Sequence, residues 1–187
     1  MEPRHERIAR IALAAGARYG LALAGGYAVS ANGMGNRPSG DVDLFTSWQH
    51  RSEFPELTAA VVAALEVAGY KASVIMSAET FTRLTLASPE GGAEEKVELA
   101  VDWRAHDPVQ LAVGPVLHSD DAVANKVCAL FGRALPRDFL LFADALGALT
   151  QITDFAFAEY RADPSMVAEM RHRFAQWRRE LLAAETS

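Results

Sequence analysis

Two aspartates alternate on a short apolar segment that follows a glycine pair. Residues 21–47, LALAGGYAVSANGMGNRPSGDVDLFTS, begin with an apolar strand, pass through Gly25-Gly26 and a turn-rich stretch, and end in DVDLF. Residues i and i+2 of a strand point to the same face, so Asp41 and Asp43 are expected side by side. Two neighbouring buried negative charges are unfavourable unless a cation neutralises them. The segment therefore predicts a strand–turn–strand unit that binds a cation.

The glycine pair adds a second chemical indication to this unit. Glycines after a strand allow backbone amides and the start of a helix to approach a phosphate without a side chain in the way. Carboxylate oxygens are suitable ligands for hard divalent ions. A phosphate-binding backbone next to metal-binding acids is typical of phosphoryl or nucleotidyl transfer.

A third carboxylate on a neighbouring strand would complete a two-metal site. The segment KVELAVDW, residues 96–103, contains Glu98 and Asp102 at positions of equal parity, so both face the same side of a strand. The opposite side carries Val97, Leu99 and Val101. Either acid could supply the third ligand.

The remaining pattern predicts a mixed α/β (α+β) fold. Apolar residues at helical spacing predict helices over residues 3–19 and 53–69, the second of them ending at Gly69. Alternating residues predict strands over 70–76, 80–88 and 95–103. From Ser119 onward the pattern is helical. We therefore expect a catalytic core over residues 1–115 and a helical C-terminal lobe over 116–187, packed on the core.

Composition excludes several other classes of protein. A net charge of −6 disfavours an extended nucleic-acid surface but permits contact with one end of a polynucleotide. The single Cys128 excludes an internal disulfide framework and a multi-cysteine zinc site, and no two of the five histidines have zinc-motif spacing. We find no targeting signal and no apolar run of membrane-spanning length, so we expect a cytoplasmic protein without a membrane partner.

Three segments together resemble a known family. The motif AGG…SGDVDLF, the acidic strand after it and the segment DDAVANKVCALFGRALPRDF resemble AbiEii/AbiGii-type toxin nucleotidyltransferases. These belong to the polymerase-β-like nucleotidyltransferase superfamily and include the MenT toxins. The resemblance covers residues 20–145. It implies a polymerase-β-like core with a mixed sheet and a helical C-terminal lobe.

The resemblance assigns the first half of the site to the glycine–aspartate segment. Gly25 and Gly26 match the glycines of the family's nucleotide-binding loop. Ser39 and Asp41 match its Ser/Thr-x-Asp motif, which would place Ser39 beside the nucleotide. Asp41 and Asp43 would be the catalytic, metal-binding acids.

The resemblance also assigns residues of the later segments. Glu98 is favoured as the third catalytic and metal-binding acid, with Asp102 in reserve. Lys126 matches the lysine that contacts the triphosphate, and Arg137 and Asp138 match the family's nucleotide-binding arginine and catalytic aspartate. Independently of the family, a lysine in the apolar helix around Lys126 either extends to solvent or binds an anion.

The implied reaction is transfer of NMP from an NTP to an acceptor hydroxyl, with Mg²⁺ or Mn²⁺ as cofactor. Some relatives act on the 3′ end of tRNA, and a cognate antitoxin protein is the expected partner. Two other interpretations stay open. One is a small-molecule nucleotidyltransferase of the antibiotic-modifying kind, and the other is a non-catalytic binding protein with a degenerate site.

Overall fold

The computed structural model describes residues 1–34 and 39–133, without the side chains of residues 130–133. The helices of this part are α1 (Pro3–Ala15), α2 (Gly25–Ala31), α3 (Phe54–Val67) and α4 (Ser119–Arg133), with 3₁₀ turns at Ala17–Tyr19 and Trp48–Glu53. The strands are β1 (Ala22–Leu23), β2 (Val42–Ser47), β3 (Lys71–Ala78), β4 (Phe81–Ala87), β5 (Glu95–Asp102), β6 (Val109–Leu111) and β7 (Gly114–Val116).

Local sequence explains where the two longer N-terminal helices begin and end. Pro3 and Pro55 lie in the first turns of α1 and α3, where their missing N–H groups have no helical partner to lose. Gly69 follows α3 with φ +91°, a left-handed conformation that glycine adopts without strain. The predicted stop of this helix is therefore confirmed.

The described strands form one seven-stranded sheet in the order β3-β4-β5-β2-β1-β7-β6. Strand β2 pairs in parallel with β5 and antiparallel with β1, and β1 pairs in parallel with β7. The remaining neighbours, β3–β4, β4–β5 and β6–β7, are antiparallel. The predicted mixed sheet is confirmed, with β2 and β5 well inside it.

The central strands alternate between a buried face and a half-buried face. One face of β2, β4 and β5 is almost completely buried, through Val42, Leu44, Leu84, Leu86, Val97 and Leu99. Helices α1 and α3 pack against each other and cover this face with their own buried residues, among them Ile8, Ala12, Leu57 and Val61. Burial of these side chains supplies the main stabilisation of the fold. The opposite face carries the acidic residues.

The structure contains a hairpin that the sequence pattern did not predict. Strands β6 and β7 have three residues each, and β7 joins the sheet beside β1. Segments this short show no measurable alternation, and Pro115 lies in the middle of β7. Strand β1 is also too short to show alternation, because it covers only Ala22–Leu23 of the predicted apolar strand.

The chain divides into two compact units. Met1–Lys126 form the first, which contains the sheet and the first half of α4. Val127–Ser187 form the second, of which residues 127–133 are described. The lobe predicted for residues 116–187 therefore stays a prediction. No helix in the described part of the chain is long and apolar enough to cross a membrane.

Candidate active site

Strand register brings two of the predicted metal-binding acids together. Asp43 on β2 and Glu98 on β5 are direct partners in the parallel ladder. Neighbouring strands lie about 4.8 Å apart, and direct partners present their side chains on the same face. Asp41 lies one residue before β2 and two residues before Asp43, and all three acids are half-buried. The fold thus collects three carboxylates, those of Asp41, Asp43 and Glu98, in one small part of the sheet, which we call the acidic area.

Gly25 lies directly against the Asp43 carboxylate. A Cβ atom at position 25 would lie 1.6 Å from Asp43 Oδ2, and the backbone there has φ +60°. The neighbouring Ala24 N–H donates a 2.8 Å hydrogen bond to the Asp43 carbonyl oxygen. Gly26 is also crowded, because a Cβ there would lie 3.0 Å from Ser39 Oγ. The glycine pair therefore allows α2 to begin immediately beside the acids.

Gly25→Ala is expected to displace the Asp43 carboxylate and to lower activity about 100-fold, since ångström-scale misplacement of reacting groups has effects of that order. The left-handed backbone adds a stability loss of roughly 1–2 kcal/mol. Gly33→Ala is the matched control, because Gly33 has φ +76° but no atom within 4 Å of the point that a Cβ atom would occupy. Initial rates and thermal melting of both variants separate the effect of the contact with Asp43 from the effect of the left-handed backbone. Equal activity in the two variants would contradict the expected contact.

Ser39 is held between Asp41 and a buried hydrogen-bond chain. Its hydroxyl donates to Asp41 Oδ1 at 3.0 Å, and its carbonyl oxygen accepts a 3.1 Å bond from the Tyr27 hydroxyl. The Tyr27 hydroxyl oxygen lies 2.5 Å from His5 Nδ1, and His5 Nε2 lies 2.8 Å from Glu95 Oε2. Burial raises the pKa of Tyr27, which keeps the hydroxyl protonated and able to donate. This chain fixes the backbone just before the first acid.

Arg83 on β4 holds the carboxylate of Glu98. The two residues are direct partners across β4 and β5. Arg83 Nε and Nη2 donate to the same oxygen, Glu98 Oε1, at 2.9 and 2.8 Å. Charge-assisted contacts of this kind fix a carboxylate more firmly than neutral hydrogen bonds do. Arg83 was not predicted as a site residue from the sequence, although a charged residue on the less buried face of the alternating strand β4 is a usable signal.

Asp102 occupies a different place on the same strand face. Its direct partner is Ser47, four residues along β5 from Glu98, which corresponds to a separation of about 13 Å. The Asn125 side-chain amide on α4 donates to Asp102 Oδ2 at 2.5 Å. Asp102 therefore connects the sheet to α4, and the register favours Glu98 as the partner of Asp43.

The environment of Asp102 leads to a prediction about stability and pH. Burial raises the pKa of Asp102 above its usual range, in opposition to hydrogen bonds from the Asn125 side chain and the Trp103 backbone that lower it. A carboxyl group whose pKa is higher in the folded state than in the unfolded state stabilises the fold fully at a pH below its unfolded-state pKa. This stabilisation is lost as the pH rises through its folded-state pKa. Asp102→Asn is therefore expected to raise the melting temperature at pH 7.

The gain of Asp102→Asn should shrink as the pH falls through the raised pKa of the wild-type carboxyl, because that carboxyl then becomes protonated itself. Asparagine keeps an oxygen that can accept the bond from Asn125. Thermal melting between pH 4 and pH 8 provides the measurement, with Glu66→Gln on an exposed position of α3 as the control. A destabilised Asp102→Asn variant at pH 7 would show that the carboxylate charge itself stabilises the fold.

Lys126 follows Asn125 on α4 and is half-buried. It belongs to the same compact unit as the three acids. Arg137 and Asp138, the other two residues assigned from the late segment, lie outside the described residues. Their roles stay predictions.

A further group of polar side chains, outside the acidic area, was also not predicted from the sequence. The rings of His106 and His118 are tilted by 39° to each other with centroids 4.4 Å apart, and Asp120 lies beside both. The sequence spacing of the two histidines matches no zinc motif, so only the folded chain brings them together.

Comparison with solved structures confirms the fold class. JHP933 from Helicobacter pylori has a similar structure, with a TM-score of 0.52 and 17% identity over 97% of each chain. The antibiotic-resistance factor ANT(2'')-Ia gives a TM-score of 0.57 and 16% identity over 94% of this chain and 100% of that chain. Similarity at these identities concerns the fold alone. No curated protein sequence matches the chain significantly.

A family model identifies the chain more specifically. The model described as nucleotidyl transferase AbiEii toxin, type IV toxin–antitoxin system, matches residues 8–140. This range covers most of the chain and includes the glycine pair, the three acids and Lys126. The chain therefore belongs to the AbiEii family of nucleotidyl transferase toxins and is a nucleotidyltransferase.

Proposed function

We propose that the enzyme transfers NMP from an NTP to the 3′-terminal hydroxyl of tRNA and releases pyrophosphate. Asp41, Asp43 and Glu98 would bind the divalent ions that this reaction uses, Mg²⁺ or Mn²⁺. The observation that carries the proposal is the direct pairing of Asp43 with Glu98 in the sheet, next to the Gly25 backbone.

The three acids are chemically suitable for these ions. They offer only carboxylate oxygens, which hard divalent ions prefer to nitrogen or sulfur. Arg83 contacts a single oxygen of Glu98. A carboxylate has about four lone-pair positions, so Glu98 can keep Arg83 and still bind an ion through Oε2. When bound, the ions would offset phosphate charge and lower the pKa of the attacking hydroxyl.

The chain's own residues would then orient the reactants. The acceptor oxygen forms a bond to the α-phosphorus while the bond to the bridging oxygen of pyrophosphate breaks, and Glu98 accepts the hydroxyl proton. Lys126 and Arg137 would neutralise charge on the leaving pyrophosphate. Gly25, Gly26 and Ser39 would border the triphosphate, and Asp138 would complete the catalytic set.

The protein partner is supported by family membership, whereas the tRNA acceptor is the one implied by the resemblance drawn from the sequence. The family belongs to a type IV toxin–antitoxin system, so we propose a cognate antitoxin as the partner. A net charge of −6 suits contact with one end of an RNA better than contact along its length. With NTP and tRNA as reactants, the activity would be cytoplasmic.

Lys126→Met is expected to slow transfer and to weaken NTP binding. The loss of one charge-assisted contact is worth roughly 1.5–3 kcal/mol, or about ten- to hundred-fold in rate. Methionine retains a similar stem and helix propensity, so the melting temperature should change little. Lys71→Met on the exposed strand β3 is the matched control. A stable and fully active Lys126→Met enzyme would show that this lysine only extends to solvent.

The proposed acceptor can be tested by following labelled nucleotide. The enzyme is incubated with each α-³²P-labelled NTP and Mg²⁺ or Mn²⁺, together with total RNA, cell protein or an aminoglycoside. We expect label in tRNA, no label after addition of a chelator, and no label in tRNA whose terminal diol has been oxidised by periodate. Asp41→Ala enzyme is the negative control.

Each other outcome removes a specific part of the proposal. Label in the aminoglycoside fraction alone would identify a small-molecule enzyme, and label in protein would identify a protein-modifying enzyme. Label in periodate-treated tRNA would exclude the 3′ end as the acceptor. Absence of label from every fraction with every NTP would support a non-catalytic binding protein.

A further inference from the structure

Two histidines and an aspartate form a compact cluster outside the acidic area. His106 lies in the loop after β5, His118 lies between β7 and α4, and Asp120 lies in the first turn of α4. One ligand atom from each residue lies within 4.8 Å of the other two. All three side chains are half-buried, with 37%, 32% and 35% exposure.

The spacing of these atoms fits common binding of a metal ion. His106 Nε2 and His118 Nδ1 each lie 3.6 Å from Asp120 Oδ2. This distance is too long for a good hydrogen bond. In a tetrahedral site with metal–ligand bonds of about 2.0–2.1 Å, neighbouring ligand atoms are roughly 3.4 Å apart. Two of the three distances between the ligand atoms are therefore already close to the value that a tetrahedral site requires.

Local hydrogen bonds involve the residues on both sides of the cluster. The Asp120 backbone N–H donates to His118 Nδ1 at 3.3 Å, so that nitrogen carries no proton, and its single lone pair would pass from this long hydrogen bond to the ion. Asp121 is buried and accepts bonds from the backbone N–H groups of Ala105 and His106, at 2.9 and 3.0 Å. It thereby fixes the loop that carries His106, as outer residues around metal sites commonly do.

We propose that His106, His118 and Asp120 bind one Zn²⁺ ion, with water in the fourth position. Two imidazole nitrogens and one carboxylate oxygen favour zinc over Mg²⁺, which prefers an all-oxygen octahedral environment. The ion would join the loop after β5 to the first turn of α4, the helix that carries Lys126. We expect the ion to stabilise the contact between this loop and α4, and it would be distinct from the ions of the proposed transfer reaction.

The test uses the untagged chain, stripped with a chelator and titrated with Zn²⁺ by calorimetry. We expect one equivalent to bind with micromolar or tighter affinity, to raise the melting temperature, and to persist in excess Mg²⁺. His118→Gln and Asp120→Asn should each weaken binding at least 100-fold. His50→Gln, whose side chain pairs with Glu53, should bind as the wild type does. Asp41→Ala should also bind one equivalent of Zn²⁺.

Cobalt substitution gives a readout that does not depend on any variant folding. Co²⁺ bound to the wild-type chain should show intense visible absorption typical of a tetrahedral or five-coordinate site, and Zn²⁺ should abolish that absorption. Absence of this spectrum, or no calorimetric binding of Zn²⁺ to the wild type, would overturn the proposal. Full binding by both His118→Gln and Asp120→Asn would also overturn it.

Discussion

Asp41→Ala is expected to abolish nucleotidyl transfer while leaving the fold intact. The substitution removes one of three carboxylates gathered at β2 and β5, and with it a ligand of the proposed ions. Loss of metal-assisted charge stabilisation, worth several kcal/mol, corresponds to a rate decrease of about 10³-fold or more. Initial rates at saturating NTP and Mg²⁺ provide the measurement.

The metal-free protein should tolerate this substitution well. Removal of one of several neighbouring like charges relieves repulsion, so the melting temperature of Asp41→Ala should equal or exceed that of the wild type. Glu66→Ala, at an exposed position of α3, is the control for loss of an unrelated acid. Substantial Mg²⁺-dependent activity in a folded Asp41→Ala enzyme would mean that the ions bind elsewhere.

Glu98→Gln is expected to reduce activity about 10²- to 10³-fold, whereas Asp102→Asn should change it only a few-fold, on the scale of single metal or transition-state contacts. Glutamine keeps an oxygen that can accept the bonds from Arg83. The loss of activity in Glu98→Gln therefore measures the effect of removing the negative charge, not the effect of losing the contact with Arg83. Glu98 is the direct partner of Asp43, and Asp102 is the partner of Ser47. Parallel rate measurements of the two variants decide between them. The reverse ranking would transfer the role of third acid to Asp102.

Alternation along single strands made much of the acidic area predictable. Asp41 and Asp43 are separated by the buried Val42, and Glu98 lies between the buried Val97 and Leu99. This period-two pattern assigns each acid to a strand face from local sequence alone. The resemblance to a known family then selected these acids as catalytic, because the pattern itself gives only a face.

Pairing between distant segments could not be predicted from one sequence. The choice between Glu98 and Asp102 depended on the register of β2 against β5, and both acids have the same parity. The contact of His106 with His118 depends on the loop after β5 and on the β6–β7 hairpin, whose strands are too short to show a period. Such contacts arise from tertiary packing, for which local periodicity carries no information.

The parallel pairing of β2 with β5 has a consequence for the order of events during protein synthesis. Helix α3 and strands β3 and β4 lie between these two strands in the sequence. A nascent chain that ends before Glu95 therefore contains Asp41 and Asp43 but lacks the strand that carries Glu98. Contacts between distant segments also form late and slowly in folding. Asp41, Asp43 and Glu98 would thus be present together only after β5 has been synthesised, so we expect products truncated before Glu95 to lack nucleotidyl transfer activity.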